Sequence, residues 1–140
     1  LIAADERDVI ATRTNARGED VQMFRINVTP DTARALLLRY VEAANALAAQ
    51  PQWYNSLTAN CTSVVMDLIR SFADDVPLDW RLLANGYLPD YAWEQGVLDQ
   101  SHSIDELRAL GSITAIAQVH GVGDDYSSVI RQGVPLASGN

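Results

Sequence analysis

The sequence predicts an α+β domain, a β-hairpin followed by several helices. Three observations predict it. Two extended runs flank a polar turn near the start. A long amphipathic helical pattern follows, with capping signals at its front. Short helical segments bounded by glycine and proline then fill the rest of the chain.

The extended runs are "LIAADERDVIAT" and "DVQMFRINV", separated by "TNARGE" with Asn15 and Gly18. Asparagine, glycine and charge together signal a turn. In the second run the alternation of Val21 and Met23 slips by one to Phe24, Ile26 and Val28, which allows a bulge. Antiparallel pairing is the simple reading. A lone hairpin is marginal in water, so its partner strands are expected before Leu1. The chain opens without Met, inside what reads as a strand. Residues 1–140 are therefore expected to form a single domain, the C-terminal part of a larger one.

The clearest helix is "TPDTARALLLRYVEAANALAAQP". Thr29 is a cap, Pro30 suits the first turn, and Asp31 complements the helix dipole. Ala33, Leu36, Leu37, Tyr40, Val41, Ala44, Leu47 and Ala48 fall at helical spacing, and Pro51 ends the run. A second helix is expected from Asn60 to about Phe72, with Val64, Val65, Leu68 and Ile69 in its apolar stripe. "LDWRLLANG" has Asp79 as a cap and Asn85-Gly86 as a stop. "LPDYAWEQG" has Pro89 near its start and Gly96 beyond its end. Ser103 and Glu106 stand at capping-box spacing in "SIDELRAL". "SITAIAQVHG" fits helix or strand, and "GDDYSSVIRQGVPLASGN" has the character of a loop-rich tail.

Composition bounds the function. Hydrophobic residues make up 48% and charged residues 20%, a globular balance. The net charge is -8 and the ten basic residues are scattered. Nucleic-acid binding needs clustered cations and is not expected, nor is docking on anionic lipid through a basic patch. No apolar run reaches the roughly 18 residues of a membrane span. There is no metal-ligand spacing and no glycine-rich phosphate loop.

Chemistry centres on one residue. Cys61 is the only cysteine and follows Asn60, a good helix cap. At a helix start its thiol would lie near unpaired backbone N–H groups and the positive end of the dipole, which lowers a thiol pKa. The same N–H groups suit a developing oxyanion. A buried position on the apolar face with Val64, Val65 and Leu68 is the competing reading, since free cysteine is among the most buried residue types. His102 reads as a loop residue and His120 as a segment end. Tyr54 and Asn55 either line a groove or anchor a loop. Trp53, Trp80, Tyr87, Tyr91 and Trp93 either form an apolar surface or fix short helices to a core. Arg7, Arg13 and Arg17 either meet a carboxylate or are solvated.

The segment "WYNSLTANCTSVV", with "TPDTARALLLRYVEAANALAAQPQWYN" before it and "VPLDWRLLANGYLPDYAWEQG" after it, resembles the Lnb N-terminal periplasmic domain family. That family is related to lipoprotein N-acyltransferase. The likeness extends from "ADERDVIATRTNARGEDVQMFRINV" to "DYSSVIRQGVP" and is most specific at Tyr-Asn…Asn-Cys-Thr. It implies a permuted papain-like thiol fold, and an Asn-Cys pair similar to that of the lecithin:retinol acyltransferase group. It implies Cys61 as nucleophile and Asn60 as its helix cap and neighbour; beside these, Thr62 is read as a further site neighbour and Tyr54 and Asn55 as candidate site lining. It implies a periplasmic or cell-envelope location and no cofactor. The substrate would be a lipoprotein, a lipid acyl group or a peptide. The implied base is a histidine on a strand before the cysteine, and no histidine precedes Cys61 here. The chain alone is therefore expected to be inactive, with the preceding part of its own domain as a partner. The alternative is a non-catalytic envelope domain that binds or scaffolds.

Overall fold

A computed structural model describes residues 4–51, 53 and 85–136. The described residues are helical throughout their regular structure: α1 (Glu6–Ala11), α2 (Pro30–Ala49), α3 (Leu88–Glu94), α4 (Ile104–Gly111), α5 (Thr114–His120) and α6 (Tyr126–Val129). A π-helical stretch, Thr12–Ala16, continues α1, and a 3₁₀ turn, Asn85–Tyr87, leads into α3. Among the described residues there is no β-strand. The expected hairpin, and with it the α+β permuted papain-like architecture, is overturned.

The physical reason lies in "DERDVIATRTNA". Asp5 is a helix cap whose side chain accepts from the Arg7 N–H, with Glu6 and Asp8 in the first turn. Ile10, Ala11 and Thr14 then recur at helical spacing on the side that meets the core. These signals outweigh the β-branched Val9-Ile10 pair. Downstream, the Thr12 and Thr14 hydroxyls donate to the carbonyls of Asp8 and Ile10. Such back-bonding competes with the helical ladder. The ladder loosens there to the wide register in which the Arg17 N–H bonds the Thr12 carbonyl at 3.1 Å.

The second run also finds a different partner. Residues 19–23 lie against residues 111–114, not against the first run. Gln22 and Ser112 form an isolated antiparallel bridge. Met23 N–H donates to the Gly111 carbonyl at 2.8 Å, and Ile113 N–H to the Val21 carbonyl at 3.0 Å. The Thr114 hydroxyl accepts from Val21 N–H and donates to the Glu19 carbonyl. A little further on, Asn27 N–H bonds the Val97 carbonyl.

The chain divides into two compact units. One combines residues 2–27 with 92–140. Its core is Ala11, Ile113, Ala117, Tyr126, Ile130 and Val134, with Ile10, Val21, Met23 and Ile116 packed on it. The loop-like tail thus supplies three core residues and a short helix. The ambiguous "SITAIAQVHG" is helix α5, ended where Gly121 takes φ 73°. Within the same unit the fully buried Thr14 hydroxyl pairs with the Tyr126 hydroxyl at 3.0 Å. Asn15 donates to the Ala117 carbonyl and Gln118 to the Thr14 carbonyl. These bonds satisfy polar groups that burial would otherwise penalise.

The other unit spans residues 28–91, of which α2 is the main described part, and the division falls inside α3. Thr29 caps α2 as expected, accepting from Thr32 N–H at 3.2 Å. Leu36, Tyr40, Ala44 and Leu47 of the expected face are half-buried. Leu37 and Val41 are not, and no residue of α2 is fully buried. The expected helix from Asn60 to Phe72, and "LDWRLLANG" up to residue 84, lie outside the described residues.

Candidate functional site

Cys61, Asn60, Thr62, Tyr54 and Asn55 all lie outside the described residues. What the structure does place are the other chemistry-bearing groups, and it accounts for most of them. Arg7 is held by Asp5 and Asp124, the second at 2.9 Å. Arg13 and Arg17 both pair with Glu19. These three arginines stand on or just after a helix rather than in a strand and turn, and their charge meets carboxylates of the same chain. Hydrogen bonding to Arg13 holds the Glu19 carboxyl below its ordinary value. Arg7 does the same to Asp5.

His102 belongs to a tight cluster with Asp99 and Ser101. Its Nδ1 lies 2.8 Å from Asp99 Oδ2 and 3.0 Å from the Ser101 hydroxyl. The Ser101 hydroxyl also donates to both oxygens of the buried Asp99 carboxylate at 2.8 Å. Serine, histidine and aspartate meet here, but both partners contact the same ring nitrogen. In a catalytic relay the serine and the carboxylate use opposite nitrogens. The cluster instead fixes a turn, which Trp93 secures by donating its Nε1–H to the His102 carbonyl at 3.0 Å.

His120 ends α5 and bonds Asp125 through Nε2 at 2.8 Å. That bond depresses the Asp125 carboxyl. Of the aromatic residues, Trp53 is 96% exposed, Tyr87 is exposed, Tyr91 is buried and Trp80 lies outside the described residues. No group of three metal-ligating side chains occurs among the described residues.

One feature escaped the sequence reading. Arg25, within "QMFRINV", lines a small crevice with Met23, Phe24, Leu98, Leu107, Val134 and Pro135, and Asp99 is in its wall. The void is about 10 Å³, the space of a single water. Arg25 Nε is buried and has no hydrogen-bond partner among the described residues. Among the described residues Arg7, Arg13, Arg17, Arg34, Arg39, Arg108 and Arg131 each hold a carboxylate, and Arg25 holds none. The available signal was a lone charge inside an apolar run.

The described groups therefore offer no catalytic constellation of their own, and classification rests on the chain's relatives. The class is a periplasmic domain. Residues 1–86 match the Lnb N-terminal periplasmic domain family, and the chain belongs to that family. The periplasm is accordingly its compartment. Among the described residues no helix is long and apolar enough to cross a membrane. No curated protein and no solved structure matches the chain.

Proposed function

We propose that the domain is a thiol-dependent hydrolase or acyltransferase of the bacterial envelope with Cys61 as its nucleophile. The observation that carries this reading is the Asn60-Cys61 pair at a sequence-predicted helix start, inside the 1–86 stretch that matches the family. The Cys61 thiolate attacks an ester or amide carbonyl, and the alcohol or amine leaves with a proton as the thioester forms. Water or an acceptor amine then cleaves the thioester and frees the thiol. Asn60 caps the helix, Thr62 adjoins the site, and Tyr54 and Asn55 line it. A lipoprotein, lipid acyl or peptide carbonyl is the substrate class.

The base is proposed to come from outside this chain. His102 and His120 follow Cys61 in sequence, and both are engaged by carboxylates. A positioned base contributes about 10²–10⁴-fold, so the chain alone is expected to turn over poorly.

The test is the rate of thiol alkylation against pH. An apparent thiol pKa well below the ordinary value of about 8.5 supports the nucleophile, and His102→Gln and His120→Gln should leave it in place. A profile at the ordinary value refutes activation. Slow labelling that speeds only on unfolding, together with loss of stability in Cys61→Ser, identifies a core cysteine and the non-catalytic alternative.

A further inference from the structure

We infer that the outward face of α2 is a self-association surface, on which the α2 of a second copy of this chain docks antiparallel. This surface is separate from Cys61 and takes no part in the proposed reaction. α2 carries two apolar faces. Leu36, Tyr40, Ala44 and Leu47 recur on one side and are half-buried. Leu37, Leu38 and Val41 form the other and are 63%, 58% and 46% exposed. Exposed Ala33 and Ala48 continue it at helical spacing. One apolar stripe is enough to seat a helix on its own unit. A second one, contiguous and open to solvent, marks an association surface.

The charges on this face fit it to a copy of itself. Arg34 and Glu42 stand one turn before and one turn after Leu38, on the same side of the helix. A twofold axis at Leu38 sets Arg34 opposite the second copy's Glu42, and Glu42 opposite its Arg34, while Leu38 meets its own counterpart. A parallel arrangement sets like charge against like and is disfavoured. The antiparallel one also brings opposite ends of the two helix dipoles together. Within the chain, Arg34 pairs with Asp31 and Glu42 with Arg39, each at 3.0 Å. Both are exposed i,i+3 pairs of the kind that contributes little, so their charges are open to sharing with a second copy. A single helix pair is at the small end of interface size, below about 1,200 Å². The dimer therefore forms and parts with concentration.

The experiment is sedimentation velocity of the whole chain under reducing conditions, from micromolar to millimolar concentration. A reversible monomer–dimer equilibrium is expected in the wild type. Leu38→Asp puts two carboxylates face to face on the axis and should weaken dimerisation at least tenfold. Arg34→Glu and Glu42→Arg should each weaken it severalfold, and the double exchange Arg34→Glu/Glu42→Arg should restore it. That rescue is a readout an unfolded variant does not give. The proposal is overturned if the wild type stays monomeric over the whole range, or if the dimer survives in Leu38→Asp. It is also overturned if neither charge reversal weakens the dimer, or if the double exchange fails to restore it. A monomer that instead binds vesicles of phosphatidylethanolamine and phosphatidylglycerol would make the occupant a lipid surface. A monomer whose Leu37, Leu38 and Val41 methyls are shielded from a soluble paramagnetic probe would make it residues 54–84 of the same chain. Either result overturns the second copy as occupant.

Discussion

At the scale of single residues, Gly111 carries more than its side chain suggests. A Cβ built there would sit 2.5 Å from the Met23 carbonyl oxygen. That oxygen belongs to backbone, held by the bridge of residues 21–23 to 111–113. It has no rotamer by which to move away. Gly111→Ala is expected to destabilise the domain by about 1–3 kcal/mol, the usual range for overpacking, as measured by urea unfolding. An unchanged denaturation midpoint would show that the bridge is not closed in solution. In the sequence this glycine stands unremarked just after "SIDELRAL". Its close contact is set by a residue 88 positions away and could not be seen locally.

Among the elements, the best-read helices carry their own start and stop signals. Thr29-Pro30-Asp31 opens α2, and Ser103 with Glu106 opens α4 through a complete capping box. Ser103 N–H and hydroxyl both donate to Glu106 Oε2 at 2.8 Å, and the backbone bond holds the Glu106 carboxyl below its ordinary value. Ser103→Ala is expected to cost about 1 kcal/mol, read as a shift in the chemical-denaturation midpoint. Glu106→Gln should cost less, because an amide oxygen still accepts from the backbone. The misread elements fail for a common reason. α1 lies in a run that reads as a strand, with a β-branched Val9-Ile10 pair, but the Asp5 cap starts a helix there. The tail reads as loop because Tyr126, Ile130 and Val134 show their burial only against Ala11 and Ile113. The candidate site was legible as a motif alone. Its residues are outside the described part, and the Arg25 crevice draws on four separate segments of chain.

For the whole molecule, acid should be the effective denaturant. Arg131 hydrogen-bonds both oxygens of Glu6 and lowers its carboxyl from the ordinary 4.5. Asp5, Glu19, Glu106 and Asp125 are lowered as well. Each therefore binds protons less readily folded than unfolded. Their stabilisation is complete above the unfolded values and is lost as pH falls through the folded ones. Melting temperature should be flat from about pH 6 to 5 and drop below about pH 4.5, and Glu6→Gln/Arg131→Met should lose the Glu6 part of that pH dependence. A drop centred above pH 5 would contradict this assignment. The unit built from residues 2–27 and 92–140 makes a second demand. The family match ends at residue 86, before Ile113, Ala117, Tyr126, Ile130 and Val134. A chain cut to residues 1–86 should leave α1 without its core, and circular dichroism should show α1 unformed. Cooperative melting of that fragment, with α1 amides protected from exchange, would contradict the division.

The bridge from Gln22 to Ser112 also sets a clock. A ribosome adding about 5–20 residues per second needs about 5–20 s to make the stretch between them. During that wait the nascent Ile10 and Ala11 have nothing to dock on, and the backbone of residues 21–23 offers its hydrogen bonds to any passing strand. A holding chaperone that covers the first thirty or so residues would be most useful in that interval, and idle once the last forty have emerged.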